Sequence, residues 1–171
     1  RTDEISTWGT PAVVRAADGR EELVTNGTKV RGYDPASGKQ LWTLGPNSEI
    51  TIGSPVASNG LVFVTGGYPP VRPIYAIKPG GEGDISLPKG QDKNQSIAWS
   101  NMTEGTYIPT PLAYDGYLFT LNINGVLTAV RGFVAHAVTA GRAPGELMGL
   151  IYELAEERDL PAQARGEERR M

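Results

Sequence analysis

Residues 10–15 read Thr-Pro-Ala-Val-Val-Arg, a Thr-Pro step that leads into a short apolar run. An Asp-Gly turn (18–19) and a second apolar run follow. The same order returns after a Ser-Pro step (54–55) and after a Thr-Pro step (110–111), each time with a turn between the two runs. Recurrence in a fixed order at about 40 to 55 residues is typical of a repeat architecture. The sequence therefore predicts three units of one kind.

The first unit contains four short strands separated by turn residues. Residues 22–25 end at an Asn-Gly pair (26–27), which is among the strongest short-range hairpin signals in a sequence. Residues 28–33 alternate polar and apolar side chains as a half-buried strand does, and residues 40–44 complete the unit. Four-stranded antiparallel sheets in three copies predict an all-β fold, a partial and open β-propeller of about three blades.

The second unit follows the same plan with one interruption. Residues 79–95 are rich in Gly, Lys and Asp and show no apolar periodicity, so we expect a long surface loop between the third and fourth strands. Residues 97–99 then supply the closing strand. The expected blades are therefore about residues 6–49, 50–105 and 106–130.

The repeat ends near residue 130, where the composition changes. Residues 131–171 contain no Lys, Ser, Asn or Trp, although all four types occur upstream. Within this atypical tail, apolar residues at helical spacing predict one short C-terminal helix over about residues 145–158. Two interpretations stay open. The helix caps the exposed edge of the last blade, or the reading frame has slipped near Ala129 and the tail is out of frame.

Residues 32–42 carry a resemblance to a known family. They read Gly-Tyr-Asp-Pro-Ala-Ser-Gly-Lys-Gln-Leu-Trp, which resembles the tryptophan-docking motif of the pyrroloquinoline-quinone-type (quinoprotein-like) β-propeller repeats. The residues that match the motif are Asp34, Ser37, Gly38 and Trp42. Gly32 stands where that family usually has Ala. The resemblance implies a propeller blade whose last strand carries a packed indole.

The other two units match the motif only in part. In the second unit Ala76 and Trp99 occupy matching positions, while Lys78 replaces the Asp. In the third unit Ala129 fits, but Arg131 replaces the Asp and no Gly and Trp follow in register. The resemblance therefore covers roughly residues 6–130 and leaves the tail unexplained.

The motif also has a physical interpretation that needs no family name. An Asp followed by Ser and Gly makes a tight turn with local hydrogen bonds, and Gly is free to take a positive φ. The turn directs the following Trp sideways, so Trp42 and Trp99 are expected to pack between neighbouring blades and to hold them in register. We expect Trp8, just before the first Thr-Pro step, to pack inside as well.

Composition excludes several classes of function. The net charge of −3 and the sequence pI near 5.2 give no basic field for nucleic acid. With no Cys there is no thiolate site, and the single His, His136, excludes a multi-histidine metal site. No apolar run has the ~18 to 20 residues that a membrane span needs.

Three of the aspartates lie in turns, where Asp is favoured for local hydrogen bonding. We predict no catalytic, cofactor-binding or metal-binding residue.

These features favour a non-catalytic propeller segment for protein binding or scaffolding, part of a larger propeller. Its partners are then another protein or the missing blades, and the resemblance implies a bacterial periplasmic or extracytoplasmic location. The chain starts at Arg1 without an apolar leader, which predicts a trimmed start or an internal piece. The alternative is a fragment of a pyrroloquinoline-quinone-dependent alcohol or sugar dehydrogenase, whose full-length parent would hold the quinone with calcium. Enzyme activity is thus left open.

Overall fold

A computed structural model describes residues 4–131, which form fourteen strands and no helix. In chain order the strands are β1 Ser6–Thr7, β2 Ala12–Arg15, β3 Glu21–Thr25, β4 Val30–Tyr33, β5 Gln40–Leu44, β6 Ile50–Thr51, β7 Val56–Ser58, β8 Leu61–Thr65, β9 Ile74–Ile77, β10 Gly83–Asp84, β11 Ile97–Asn101, β12 Leu112–Tyr114, β13 Tyr117–Leu121 and β14 Leu127–Arg131. The sequence prediction of an all-β fold is confirmed.

Three larger sheets follow one another along the chain. Their strand orders are β10-β5-β4-β3-β2 in the first sheet, β11-β9-β8-β7 in the second and β12-β13-β14 in the third. Strands that are consecutive in each unit pair antiparallel. The short strands β1 and β6, which precede the first two sheets, pair with each other in parallel.

The three sheets share one register. A row of directly opposed residues crosses each sheet from its first strand outward. The rows are Ala12, Val24, Gly32 and Trp42 in the first sheet, Val56, Phe63, Ala76 and Trp99 in the second, and Leu112, Phe119 and Ala129 in the third. Because side chains alternate between the two faces of a strand, equal register places corresponding residues on corresponding faces. The repeat is therefore structural as well as sequential.

The second sheet lies between the other two and buries both of its faces. Val62 and Val64 belong to a core cluster with Val24 and Trp42 of the first sheet. Phe63, between them on β8, belongs to a second cluster whose members include Leu118 and Val130 of the third sheet. The strict alternation along β8 thus divides its apolar side chains between two cores.

The repeated Pro-containing steps lie next to one another. The backbone N–H of Thr10 donates to the hydroxyl of Ser54 at 2.9 Å, and the N–H of Ser54 donates to the hydroxyl of Thr110 at 3.1 Å. Strand β7 lies beside β2 on one side and beside β12 on the other. The residues just before the first strands of the three units are therefore linked in series by one kind of hydrogen bond, which we call the hydroxyl ladder.

The expectation of a plain surface loop at residues 79–95 is wrong in part. The strand β10 lies within this stretch and pairs in parallel with β5. The N–H of Ile85 donates to the carbonyl of Thr43 at 2.9 Å, and the Ile85 side chain is buried. A two-residue strand followed by one buried side chain leaves no periodicity to detect. The first sheet consequently has five strands where four were expected.

Trp8 also departs from its prediction, because its side chain is 65% exposed. Its backbone N–H donates to the carbonyl of Thr51 at 2.9 Å and continues the β1–β6 pairing. The pairing fixes the backbone and leaves the indole outside the sheets.

The third sheet has three strands within the described residues. The expected helix at 145–158 and the rest of the tail lie outside them, and the blade boundaries stay a prediction.

Candidate functional site

The turn between β4 and β5 is built around Asp34. Its carboxylate accepts the N–H of Ala36 at 2.8 Å, and its carbonyl accepts the N–H of Gly38 at 2.8 Å. Gly38 has a φ of 70°, which a side chain would strain. The Ala36 N–H, followed by the Ser37 hydroxyl, holds the pKa of Asp34 below its ordinary value. Asp34, Ser37 and Gly38 therefore form one hydrogen-bonded turn that leads into β5.

Trp42, in the middle of β5, is buried between the first and second sheets. Its indole covers Gly32 of β4 so closely that a Cβ at position 32 would lie 2.2 Å from ring atoms Cε2 and Nε1. Its Nε1 donates to a carboxylate oxygen of Glu22 at 2.8 Å. Position 32 therefore has no room for a side chain beside the indole.

Glu22 is a fully buried carboxylate that the sequence analysis missed. The oxygen not bonded to Trp42 accepts the Nη2 of Arg20 at 2.9 Å and the N–H of Gly80 at 3.0 Å. Gly80 follows β9 in the second unit, so this carboxylate joins two units. The available signal was the strand period, because Glu22 shares a face with the core residue Val24.

Trp99 occupies the matching position at the next sheet contact. Its ring lies 6.2 Å from the ring of Phe63, tilted by 42°. Both belong to the cluster that includes Leu118 and Val130 of the third sheet, and Ala76 lies in the same cluster. The structure therefore brings each predicted tryptophan to a contact between successive sheets, Trp42 at the first and Trp99 at the second.

The third sheet turns an apolar face outward. The residues on it alternate with Leu118 and Val130, which point to the second sheet. This open apolar face carries Leu112, Tyr114, Phe119, Leu121 and Leu127. Leu112 is 61% exposed and Leu127 is 48% exposed. Within residues 4–131, no strand pairs with the outer side of β14.

The first sheet also turns one face away from the second. This first-sheet outer face carries Val13, Leu23, Thr25, Arg31 and Tyr33, which the register places on one side. A pocket of about 470 Å³ opens on it.

The charge on the first-sheet outer face is internally balanced. The guanidinium of Arg31 donates to the carboxylate of Glu4, and the N–H of Thr28 donates to the other oxygen of that carboxylate. Arg31 itself is buried, and Val13 is 58% exposed. By the same register Arg15 and Glu21 also lie on this face and form an ion pair at 2.8 Å, so the side chains of Val13, Leu23 and Tyr33 are flanked by two ion pairs.

A buried polar network ties the loops of the units together. Asn26 donates from Nδ2 to the carbonyls of Gly53 and Thr65, both at 2.8 Å, and accepts from Asn47 at 2.9 Å. The hydroxyls of Thr65 and Thr106 lie 3.1 Å apart. The sequence pattern indicates only a turn at Asn26, because these partners come from distant positions in the chain. The network fixes the connections between sheets.

The remaining aspartates and charged groups lie mostly at the surface. Asp84 is exposed on β10, and the hydroxyl of Ser86, followed by its N–H, lowers the pKa of Asp84. Among the described residues, no three side chains of His, Cys, Asp or Glu come together as metal ligands do. The same part of the chain holds no helix long and apolar enough to cross a bilayer.

A scan against models of protein families finds no match to this chain, and a search of curated proteins finds no relative. The quinoprotein-like resemblance of residues 32–42 therefore stays a prediction. Function has to be inferred from the sheets, the tryptophan contacts and the exposed faces.

Proposed function

We propose that the three sheets are consecutive blades of an open β-propeller, and that the chain is a non-catalytic segment of a larger propeller that serves protein binding or scaffolding. In a propeller each blade packs face to face on the next, with the first strands nearest a common axis. The positions of β2, β7 and β12 and the hydroxyl ladder support this arrangement. The common register of the three sheets supports it further.

The binding function rests on one observation. The middle sheet buries both of its faces, whereas each end sheet leaves one face without a neighbouring sheet among the described residues. The middle sheet buries Val62 against the first sheet and Phe63 against the third. By register, Leu23 corresponds to Val62, and Phe119 corresponds to Phe63. Leu23 and Phe119 lie on the first-sheet outer face and the open apolar face, where no described residue packs a further sheet. Exposed apolar surface of this kind marks an interaction site.

A dye whose fluorescence rises on apolar surface tests the binding face. At a concentration low enough for the chain to be monomeric, Leu112→Lys and Leu127→Lys should each reduce dye binding, because both side chains lie on the open apolar face. Trp8→Lys is the matched control, since Trp8 is 65% exposed, close to the 61% of Leu112, and follows β1, which belongs to neither of the two sheets. Reduced binding in the control alone, with no change in the two face variants, would contradict the proposal.

A second experiment separates this function from the dehydrogenase alternative. The full chain is titrated with Ca²⁺ and pyrroloquinoline quinone while absorbance and melting temperature are recorded. A non-catalytic segment should leave the quinone spectrum and the melting temperature unchanged. A saturable spectral shift with a rise in melting temperature would favour the dehydrogenase fragment, because a ligand that binds only the folded chain stabilises it.

A further inference from the structure

We propose that the open apolar face of the third sheet binds the first-sheet outer face of a second copy of this chain, head to tail. This inference rests on the proposed propeller arrangement and names the partner of its two exposed faces. Two interfaces of the same kind would then join two copies in a closed pair.

The first argument is continuity with the contacts inside the chain. Phe119 and Leu127 of the open apolar face occupy the register positions that Val24 and Val30 occupy in the first sheet. Val24 and Val30 are buried against the second sheet. A sheet that packs on the third sheet in the same way would cover the open apolar face with side chains like those of Val62 and Val64.

The first-sheet outer face supplies an apolar side chain at the position of Val62 and Thr25 at the position of Val64. Leu23 corresponds by register to Val62 and Leu118, and Tyr33 corresponds to Ile77 and Val130. All four counterparts are buried in contacts between sheets. The two end faces are therefore the two halves of an interface that the chain already forms twice within itself.

The hydroxyl ladder gives a second, independent argument. Thr10 N–H bonds to Ser54, and Ser54 N–H bonds to Thr110, so the ladder runs in one direction along the chain. Within residues 4–131, no hydrogen bond uses the hydroxyl of Thr10 as acceptor or the N–H of Thr110 as donor. In a head-to-tail pair, the Thr110 N–H of one copy would donate to the Thr10 hydroxyl of the other.

The number of sheets is compatible with closure. Three sheets in each of two copies give six, and propellers typically have about 4 to 8 blades. Head-to-tail contacts produce a ring when the rotation between units closes, and an open filament when it does not. Closure would cover both exposed faces of each copy.

The test is the mass of the full chain in solution by sedimentation velocity over a wide concentration range. We expect a species of twice the 18.3 kDa chain mass. Leu127→Glu on the open apolar face and Val13→Glu on the first-sheet outer face should each weaken dimerisation at least about 30-fold, as loss of a central apolar contact does. Both positions are exposed, so circular dichroism should show folded variants. The control Trp8→Glu should dimerise like the parent chain.

Mixing the two variants tests the head-to-tail direction. Each variant alone has a damaged face in both interfaces, but a mixed pair retains one intact interface. Dimer recovery on mixing Leu127→Glu with Val13→Glu is therefore expected. A dimer broken by only one of the variants would show a face bound to itself and would overturn the proposal.

A monomer at every concentration, or a dimer unaffected by either variant, would also overturn the self-association. Neither result would contradict the proposed function, which the dye-binding experiment and the quinone titration test separately. The two failures are thus distinguishable.

Discussion

The indole of Trp42 lies against Gly32, so close that a Cβ at position 32 would be 2.2 Å from two ring atoms. Gly32→Ala should therefore force the ring or the strand to move. We expect a loss of about 1 to 3 kcal/mol in the free energy of unfolding, measured by urea titration.

A double-mutant cycle identifies the cause of that loss. In a Trp42→Phe background, the smaller ring leaves room for the methyl group, so Gly32→Ala should cost less than in the parent chain. Equal costs in the two backgrounds would show that the indole does not contact position 32.

Glu22 and Glu21 are neighbours on β3 with opposite environments. Glu22 is fully buried with three donors, whereas Glu21 forms an ion pair with Arg15 in which both side chains are at least half exposed. Glu22→Gln removes the charge that Arg20 and Trp42 face and should cost about 2 kcal/mol in unfolding free energy. Glu21→Gln is the matched control and should cost less than about 0.5 kcal/mol. Similar losses in the two variants would contradict the buried position of Glu22.

The hydroxyl ladder predicts a small and specific effect at Ser54. Ser54→Ala removes the acceptor of the Thr10 N–H and should lower the free energy of unfolding by about 1 kcal/mol. Ser58→Ala serves as control, because within residues 4–131 the hydroxyl of Ser58, which lies in the same unit on β7, makes no hydrogen bond. If Ser54→Ala were as stable as the parent chain in urea, the ladder would have no role in stability.

Asp34 should make the stability of the chain depend on pH in the acid range. The pKa of its carboxyl is lowered from 3.8 by the Ala36 N–H and then by the Ser37 hydroxyl. Because the folded chain holds this proton less tightly than the unfolded chain, the stability it contributes is complete above the unfolded pKa. It is lost as the pH falls through the lowered folded pKa.

Asp34→Asn keeps an acceptor oxygen but does not titrate. The difference in melting temperature between the parent chain and this variant should be constant near neutral pH and should shrink below a pH of about 4. A difference that stays the same down to a pH of about 2 would show that the carboxylate charge does not stabilise the turn.

Strands with clear alternation and marked turns could be predicted from the sequence with their bounds. Residues 40–44 are an example, because the Asp34 turn and Gly38 separate them from residues 28–33, and they form β5 with the expected bounds. The strand β10 could not be predicted, since its two residues depend on pairing with β5 from another unit. The local pattern of side chains identifies strands that are long enough to show it. Shorter strands such as β10 form only because they pair with a strand from another part of the chain.

In the candidate site, too, features that depend on neighbouring residues could be predicted, and features that depend on distant parts of the chain could not. The Asp34 turn is local, so its residues could be identified from their spacing. The partners of Glu22 and Asn26 come from other units, and no short-range pattern indicates them. The prediction that Trp8 packs inside is wrong, because the sequence beside a strand does not show whether another sheet covers an aromatic side chain there.

The central claim is that Trp42 and Trp99 lie buried between successive sheets. Acrylamide quenching of tryptophan fluorescence in Trp8→Phe tests it directly, since only these two indoles then remain. We predict blue-shifted emission with weak quenching, and strong quenching only after unfolding in denaturant. Native-state quenching as strong as that of the unfolded chain would place both indoles in solvent and contradict the arrangement of the sheets.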